Sequence, residues 1–200
     1  MSSIVVVQCT QGFVISTDTV AFKTPVAEKR FAKVRASTHK LFQISDDVIA
    51  AGVGEFTSYL KVFNAAAKLK LPTEKLVPEL LDLAVNKAAD SRIFVVYRVD
   101  GKARLDVCEF AHVRRDEPGA HSYPDDLLNG LFDRIYESPE GMAVRKSGIL
   151  GIAALVNGIN SLAASLCPEM SPPFDTVCFL HEGMFVLSGG LAKLPVTEIS

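Results

Sequence analysis

The sequence predicts an α+β protein built as a four-layer αββα sandwich, with two antiparallel sheets face to face and helices outside them. Predicted strands and helices occur in pairs, in the order ββ, ββ, αα, ββ, αα, ββ, and this segregation is typical of antiparallel sheets covered by helices. Hydrophobic residues make up 48% of the chain, which is enough for a large buried core. No repeat or low-complexity segment interrupts the sequence, so residues 1–200 are predicted to form one domain.

The first strand pair opens the chain. β-rich runs at Ile4–Cys9 and Phe13–Thr17 flank the short turn Thr10-Gln11-Gly12. With the turn centred on its middle residue, Asp18 faces the first residue of the first run and shares a sheet face with Ser2. A register change of one residue would place Asp18 on the other face, so this expectation depends on the turn.

A polar connection, a second hairpin and two helices follow. Residues 23–35 are polar and basic, and they predict a loop or a solvated ribbon. His39–Ile44 and Val48–Gly52 are predicted to form a hairpin around residues 45–47. Hydrophobic periodicity then predicts helices over residues 56–71 and 73–89, with Thr73 as an N-cap and Pro78 bending the second helix without ending it.

The second half of the chain contains two further hairpins. Arg92–Val99 and Arg104–Phe110 flank Asp100-Gly101, a dipeptide typical of tight hairpin turns. Residues 111–121 are predicted to be irregular, 123–136 helical, and 138–166 a long apolar helix. The last hairpin spans residues 174–187, and a tail occupies residues 193–200.

Composition excludes several classes of function. A net charge of −2 offers no basic surface for nucleic acid or an anionic membrane. The histidines lack ligand spacing, so neither a metal nor another cofactor is predicted. The cysteines form no CxxC pair and are expected to be small core residues in a reducing cytosol. The first residues lack the basic leader of a secretory signal, and we expect a cytoplasmic location.

One uncharged stretch, Gly148–Leu166, is long enough to be mistaken for a membrane span. Polar residues interrupt it at Asn157, Asn160, Ser161 and Ser165. A helix that packs between a sheet and a neighbouring subunit explains this composition better than a bilayer does. We therefore expect no membrane association.

The chemistry is predicted to centre on Ser2. Once the initiator Met1 is removed, Ser2 carries a hydroxyl nucleophile and a free α-amine, whose ordinary pKa near 8 suits a general base. Asp18 and Lys40 are charged residues at the ends of neighbouring predicted strands. Taken singly, such residues are most often turn formers or solvated side chains, so the interpretation depends on their order and spacing.

Order and spacing resemble those of the proteasome β-subunit family, particularly its simple bacterial members such as HslV. In that family a hydroxyl residue opens the mature chain, and an acidic residue ends the second strand. Here Ser2 opens the chain and Asp18 stands sixteen residues later. The run Lys40-Leu41-Phe42-Gln43-Ile44 resembles the family's lysine motif, and Ala51-Gly52 its glycine motif.

The resemblance implies a threonine/serine-type endopeptidase with the N-terminal-nucleophile (Ntn) hydrolase fold. Ser2 would be the nucleophile, Asp18 and Lys40 its charged supports, and the Gly52 amide part of the oxyanion hole. Family members assemble into homo-oligomeric rings that enclose their sites and act on peptides or proteins. An ATPase unfoldase is a further partner that the resemblance allows.

Several positions depart from the family pattern. Serine replaces the usual threonine, whose methyl group restricts χ1. Ser122 is a candidate for the family's supporting serine. The acid and serine that the family carries after its fourth helix have no clean counterpart in residues 167–173, where Glu169 is the acid present. The Pro-Pro-Phe-Asp run at 172–175 resembles the Anbu branch of bacterial homologues. These departures leave an alternative open: an assembly or scaffold protein of the same fold with little or no hydrolase activity.

Overall fold

A computed structural model describes residues 3–23, 34–123, 134–166 and 172–194. The first strands are β1 (Ile4–Cys9), β2 (Gly12–Asp18), β3 (Val20–Lys23), β4 (Val34–Ser37), β5 (Leu41–Ser45) and β6 (Val48–Val53). The later strands are β7 (Arg92–Val99), β8 (Lys102–Glu109), β9 (His112–Arg114), β10 (Ala120–Tyr123), β11 (Phe174–Leu180), β12 (Gly183–Ser188) and β13 (Ala192–Lys193). The complete helices of the described ranges are α1 (Phe56–Lys68), α2 (Thr73–Lys87), α3 (Pro139–Arg145) and α4 (Ile149–Leu166).

The strands form two large sheets, which confirms the predicted α+β class. The first sheet has the order β10-β1-β2-β11-β12 and the second β13-β5-β6-β7-β8-β9, while β3 and β4 pair separately. All pairs are antiparallel except β13 with β5. The prediction of purely antiparallel sheets is therefore wrong at one edge. There, Ala192 and Lys193 form β13 along the free edge of β5. These two residues were expected to lie just before and at the start of the tail.

Three apolar clusters show how these elements stack. One lies between the sheets and contains Phe13 and Phe179 from the first sheet and Phe94 from the second. A second packs α1 and α2 on the outer face of the second sheet, and a third packs α4 on the outer face of the first. Alternating apolar positions along each strand supply the two faces. The layers thus run from α1 and α2 through the two sheets to α4.

The register of β1 and β2 differs from the expectation. Cys9 pairs with Gly12, so the turn contains two residues instead of three, and Ile4 pairs with Thr17 instead of Asp18. Gly12 can join β2 because glycine tolerates both its φ of +145° and its close contact with β11. A Cβ at this position would lie 2.0 Å from the Phe179 carbonyl oxygen. The inference that Asp18 shares a sheet face with Ser2 loses its basis.

Other segments also depart from the prediction. The ribbon predicted for residues 23–35 begins and ends in the β3–β4 hairpin, with 24–33 outside the described residues. The region 111–121, expected to be irregular, forms β9 and contributes to β10. The long helix is divided, because Gly148 adopts a φ of +84° between α3 and α4. Residues 134–136 are helical, and 124–133 lie outside the described residues.

The sandwich has two distinct ends. Two-residue turns at 10–11, 46–47, 100–101 and 181–182 lie together at the hairpin end. At the opposite end, here called the entry end, β1, β5, β7 and β11 begin and β2, β6, β8 and β12 finish. The predicted charged residues Asp18 and Lys40 stand at the entry end, as the last residue of β2 and the residue before β5.

Candidate active site

A buried ion pair joins the two sheets at the entry end. The Lys40 ammonium donates hydrogen bonds to both carboxylate oxygens of Asp18, each at 2.8 Å. Asp18 is 0% and Lys40 2% exposed. The structure therefore brings together two of the residues predicted from sequence, and it does so across the interface between the sheets.

Backbone geometry fixes the Asp18 side of this pair. Asp18 Oδ1 accepts a hydrogen bond of 2.6 Å from the Ser3 amide, and the Asp18 amide donates to the Ser3 carbonyl at 3.2 Å. Phe174 pairs with Asp18 from the neighbouring strand β11. The hydrogen bonds from the Ser3 amide and the Lys40 ammonium are those that a buried carboxylate requires. They also tie the carboxylate to the first described residue of the chain.

The environment of Lys40 shifts its pKa. Burial lowers the pKa of Lys40, and this effect is opposed first by the charge and hydrogen bonds of Asp18 and then by the charge of Asp175. An ammonium group held in a dry, low-dielectric setting exerts a strong field on neighbouring groups. Such a cation would lower the proton affinity of an amine or hydroxyl placed beside it.

The predicted nucleophile lies outside the described residues. Met1 and Ser2 are not described, so Asp18, Lys40 and Gly52 are the described residues of the predicted catalytic set. The sequence nevertheless fixes one relation, because Ser2 is bonded directly to the Ser3 amide nitrogen that binds Asp18. One covalent linkage thus separates Ser2 from a group in contact with the buried carboxylate.

Gly52 lies near this pair, on strand β6. It is buried, it pairs with Ile93, and it follows Ala51, whose partner on β5 is Leu41. A Cβ at Gly52 would lie 2.7 Å from the ring of Tyr59, so the aromatic ring of α1 occupies the space that a side chain would need. Burial raises the pKa of Tyr59, with a further contribution from the charge of Asp18. The ring, the glycine and the ion pair therefore belong to one buried region.

A second buried acid, Asp175, was not predicted to take part. It lies on β11 with its side chain 1% exposed, and its Oδ2 is 2.8 Å from Nδ1 of His39. Its Oδ1 accepts a hydrogen bond from the Gly190 amide at 2.7 Å. The sequence signal at this position is the Pro-Pro-Phe-Asp run that ends at Asp175. A single sequence does not show that residues 39 and 175 contact each other.

Ser122 and Glu169 have different outcomes. Ser122 lies on β10 opposite Val5 and is 6% exposed, and its carbonyl oxygen accepts a hydrogen bond from the Arg92 guanidinium at 3.3 Å. It is thus buried on the strand that flanks β1, next to the start of the chain. Glu169 lies outside the described residues.

Two thiols, those of Cys108 and Cys178, are unsuited to act as a competing nucleophile. Cys108 and Cys178 are free and buried, which confirms the expectation that they are core residues. Burial raises the pKa of Cys178 to about 11 and also raises that of Cys108, so both stay protonated near neutral pH. Cys9 is half-buried, and Cys167 lies outside the described residues.

Two further features bear on the predicted partners. Within the described residues no group of three or more His, Cys, Asp or Glu side chains is placed to hold a metal ion.

One helix, α4, is long and apolar enough to cross a membrane by length and composition, with a mean hydropathy of 1.7. It packs on the first sheet through Ile152, Val156 and Ile159. A core helix of this kind passes the same test of length and hydropathy.

Comparisons with known proteins assign the chain to no family. No family model matches it, and no curated protein shows a significant match. The chemistry of the site is accordingly inferred from Asp18, Lys40 and the residues around them.

Proposed function

We propose that this protein is a proteasome-like N-terminal-nucleophile hydrolase that cleaves peptide or amide bonds. The observation that carries the proposal is the buried Asp18–Lys40 pair, whose carboxylate also binds the Ser3 amide. A buried ion pair is costly to desolvate and is weak evidence for a purely stabilising role. The contact of its carboxylate with the Ser3 amide, one residue after Ser2, favours a role in activating Ser2. The stacking of α1, α2, two sheets and α4 agrees with the αββα sandwich of this class.

In the proposed mechanism, removal of Met1 exposes the α-amine of Ser2. The amine takes the proton of the Ser2 hydroxyl as Oγ attacks the substrate carbonyl, and it then gives that proton to the leaving amine. The acyl-enzyme is hydrolysed by water, which restores the hydroxyl. Lys40 favours the neutral amine and the ionised oxygen, Asp18 orients Lys40, and the Gly52 amide stabilises the oxyanion.

The proposal extends to assembly and location. A homo-oligomeric ring in the cytoplasm, with peptide or protein substrates and an ATPase unfoldase as a candidate partner, fits this class of hydrolase. The exposed side of α4 supports a subunit contact, because this uncharged helix exposes Leu150, Leu162 and Leu166 by 58%, 41% and 60%. Contiguous exposed apolar patches are typical of protein contact surfaces.

Intact-protein mass spectrometry of the chain from its native host tests the first requirement. We expect the mass of a chain that begins at Ser2, because methionine is readily removed before a small residue. A chain that retains Met1 has no free Ser2 amine, and that result would contradict the hydrolase proposal. It would favour the alternative, a scaffold protein of the same fold.

Covalent labelling tests the nucleophile. A peptide epoxyketone, which reacts with a hydroxyl and its own α-amine together, is expected to modify the wild type and Ser2→Thr but not Ser2→Ala. Ser2→Thr is the matched control, since it keeps the hydroxyl and permits methionine removal. Labelling that persists in Ser2→Ala would show that another residue is the nucleophile.

A further inference from the structure

Asp175 is a buried carboxylate at the entry end for which the mechanism above has no role. It lies opposite Thr17 on β2, and the preceding residue, Phe174, lies opposite Asp18. The two acids Asp18 and Asp175 therefore stand on adjacent strands, one position apart in the pairing. Asp18 binds Lys40, and Asp175 binds His39, the residue immediately before Lys40. Two consecutive side chains that lead into β5 are thus each held by a buried acid of the other sheet.

Both oxygens of Asp175 are fixed by the surrounding chain. The Gly190 amide donates to Oδ1 at 2.7 Å, and His39 Nδ1 lies 2.8 Å from Oδ2. The segment that supplies the amide fits closely against this pair: a Cβ on Gly189 would lie 2.3 Å from Asp175 Oδ1, and one on Gly190 would lie 2.5 Å from the His39 ring. Gly189 also has a φ of +68°, which favours glycine. Two successive glycines thus let the backbone approach the carboxylate.

The hydrogen-bond chemistry sets the direction of the contact. An ionised carboxylate only accepts, so His39 donates through a protonated Nδ1 and thereby orients Asp175. The imidazole is half-exposed while the carboxylate is buried. His39 consequently shields the acid from solvent and fills one of its hydrogen-bonding positions.

Asp175 lies on the strand next to Asp18 and contacts His39, the residue adjacent to Lys40, so its carboxylate stands close to the Lys40 side of the ion pair. In the described part of the chain, the titratable groups near the Lys40 ammonium include Asp18 from β2, Asp175 from β11, the adjacent His39 and, beyond Asp18, Tyr59 from α1. Burial lowers the pKa of Lys40, and Asp175 adds to Asp18 in opposing that effect. The negative charge of Asp175, added to that of Asp18, thus favours the ammonium form of Lys40, which burial disfavours.

We propose that Asp175 is a positioning residue that keeps Lys40 in its ammonium form, and that His39 and the Gly190 amide hold the Asp175 carboxylate for this task. The proposal rests on the proposed function in one respect. An α-amine acts as a base only when neutral, which requires a pH near or above its ordinary pKa of about 8. Lys40 assists it only while charged. The second carboxylate widens the pH range in which the amine is neutral and the lysine is still cationic.

Asp175→Asn tests this role, because it removes the charge and keeps the shape and the acceptor for the Gly190 amide. The direct readout is the Lys40 titration, followed by NMR of the full chain labelled with ¹³C at the lysine ε-carbons and assigned with Lys40→Arg. We expect the pKa of Lys40 to fall in Asp175→Asn. The matched control is Asp47→Asn, which removes a carboxylate at the hairpin end and is expected to leave the Lys40 titration unchanged.

The pH profile of hydrolysis is the second readout. In Asp175→Asn we expect the alkaline limb of kcat/KM to move to lower pH, with a larger fold loss at about pH 9 than at about pH 7. Asp175→Glu restores the charge and is expected to recover part of the alkaline limb. An equal loss at every pH together with an unchanged Lys40 titration would show a merely structural role and overturn the proposal.

A second pair of variants and a readout that does not depend on turnover keep the test decisive. If Asp175→Asn does not fold, His39→Ala removes the exposed partner of the carboxylate, while His39→Asn retains a donor near the Nδ1 position. A lower Lys40 pKa in His39→Ala than in His39→Asn supports the proposal, and equal values contradict it. The NMR titration needs no turnover, so a chain without hydrolase activity would refute the proposed function and still report whether Asp175 controls Lys40.

Discussion

The entry end and the hairpin end each carry a basic residue that bridges the two sheets, yet the two bridges differ in kind. At the entry end, Lys40 reaches from the second sheet to Asp18 in the first. At the hairpin end, Arg98 of β7 reaches to the carbonyl oxygens of Leu180 and Gly183 at 2.9 and 3.1 Å. A bridge that only joins sheets can use arginine, which does not lose its charge at ordinary pH. The entry end instead uses a lysine, whose ammonium group can lose its proton.

The environments of the two cations explain what each can do. The Arg98 guanidinium also donates to Asp47 at 2.8 Å, lies 5.0 Å from the centre of the Phe179 ring, and keeps 16% of its side chain exposed. Arginine stays charged at any ordinary pH and makes several directed hydrogen bonds, which suits a structural bridge. Lys40 is 2% exposed, and burial lowers its pKa. The two bridges therefore differ in one respect: Arg98 is a permanent cation that joins the turns, and Lys40 is a cation whose pKa is lowered by burial.

The largest predicted effect comes from breaking the entry-end bridge. Lys40→Met leaves the Asp18 carboxylate buried without its cation, and we expect a loss of about 3–5 kcal/mol in the free energy of unfolding. Urea denaturation measures this loss, and epoxyketone labelling is expected to disappear as well.

Asp18→Asn combined with Lys40→Met serves as the control for this prediction. The double variant removes both charges and keeps an acceptor for the Ser3 amide, so it is expected to regain much of the stability but none of the labelling. A single variant as stable as the wild type would mean that Asp18 is not held as a buried anion.

Gly52→Ala is predicted to have the next largest effect. Its Cβ would lie 2.7 Å from the buried Tyr59 ring, and such overpacking costs about 1–3 kcal/mol. Gly183→Ala at the hairpin end is the matched control, since its Cβ would meet nothing within 4 Å. Thermal and urea unfolding are expected to show a loss for Gly52→Ala that clearly exceeds the loss for Gly183→Ala. Equal effects would indicate that the Tyr59 ring moves aside freely.

Breaking the hairpin-end bridge is predicted to lower stability and leave the chemistry intact. Arg98→Ala removes hydrogen bonds to two carbonyls and to Asp47, for an expected loss of about 1–2 kcal/mol. The rate of epoxyketone labelling, measured at a temperature where both chains are folded, is expected to stay at the wild-type value. A slower rate in Arg98→Ala would show that the two ends are coupled.

The smallest predicted effect concerns Asp106, a buried acid that accepts hydrogen bonds from the Tyr97 hydroxyl and the Asp116 amide. Burial raises the pKa of Asp106, so the folded chain holds a proton at pH values where the unfolded chain has lost it. Raising the pH from about 4 through this range therefore lowers the contribution of Asp106 to the stability of the wild type. Asp106→Asn removes that loss.

We accordingly expect the stability of Asp106→Asn relative to the wild type to be higher at pH 7 than at pH 4, by less than about 1 kcal/mol. Urea denaturation at the two pH values measures the difference. A relative stability that is the same at both would show that Asp106 titrates alike in the folded and unfolded chains.

Local patterns in the sequence account for the parts of the fold that were predicted correctly. The Asp100-Gly101 turn, with φ of +53° and +66°, and the hairpins built on β5–β6 and β11–β12 depend on turn residues and alternation that are visible in sequence. Strand β10 and strand β13 were missed, because each is short and is stabilised by a partner distant in sequence. The β1–β2 register was wrong by one residue, since it depends on the close contact of Gly12 with β11.

The candidate site shows the same division. Asp18 and Lys40 were identified by spacing, and their contact is found in the structure. The partnership of His39 with Asp175 joins residues 136 positions apart, and no local signal encodes it. A half-exposed histidine and an acid at a strand start have many ordinary explanations. Only the fold brings them beside Lys40.

The buried Asp18–Lys40 pair also constrains how this chain can change over evolutionary time. Substitution of either residue alone leaves the other charge buried without the counter-ion that it contacts, so each single step passes through a poorly stable intermediate. The two positions are therefore expected to be inherited as a unit. In related chains, loss of one should be accompanied by loss of the other, and a lineage that gave up the chemistry could retain the pair long after its use had ended.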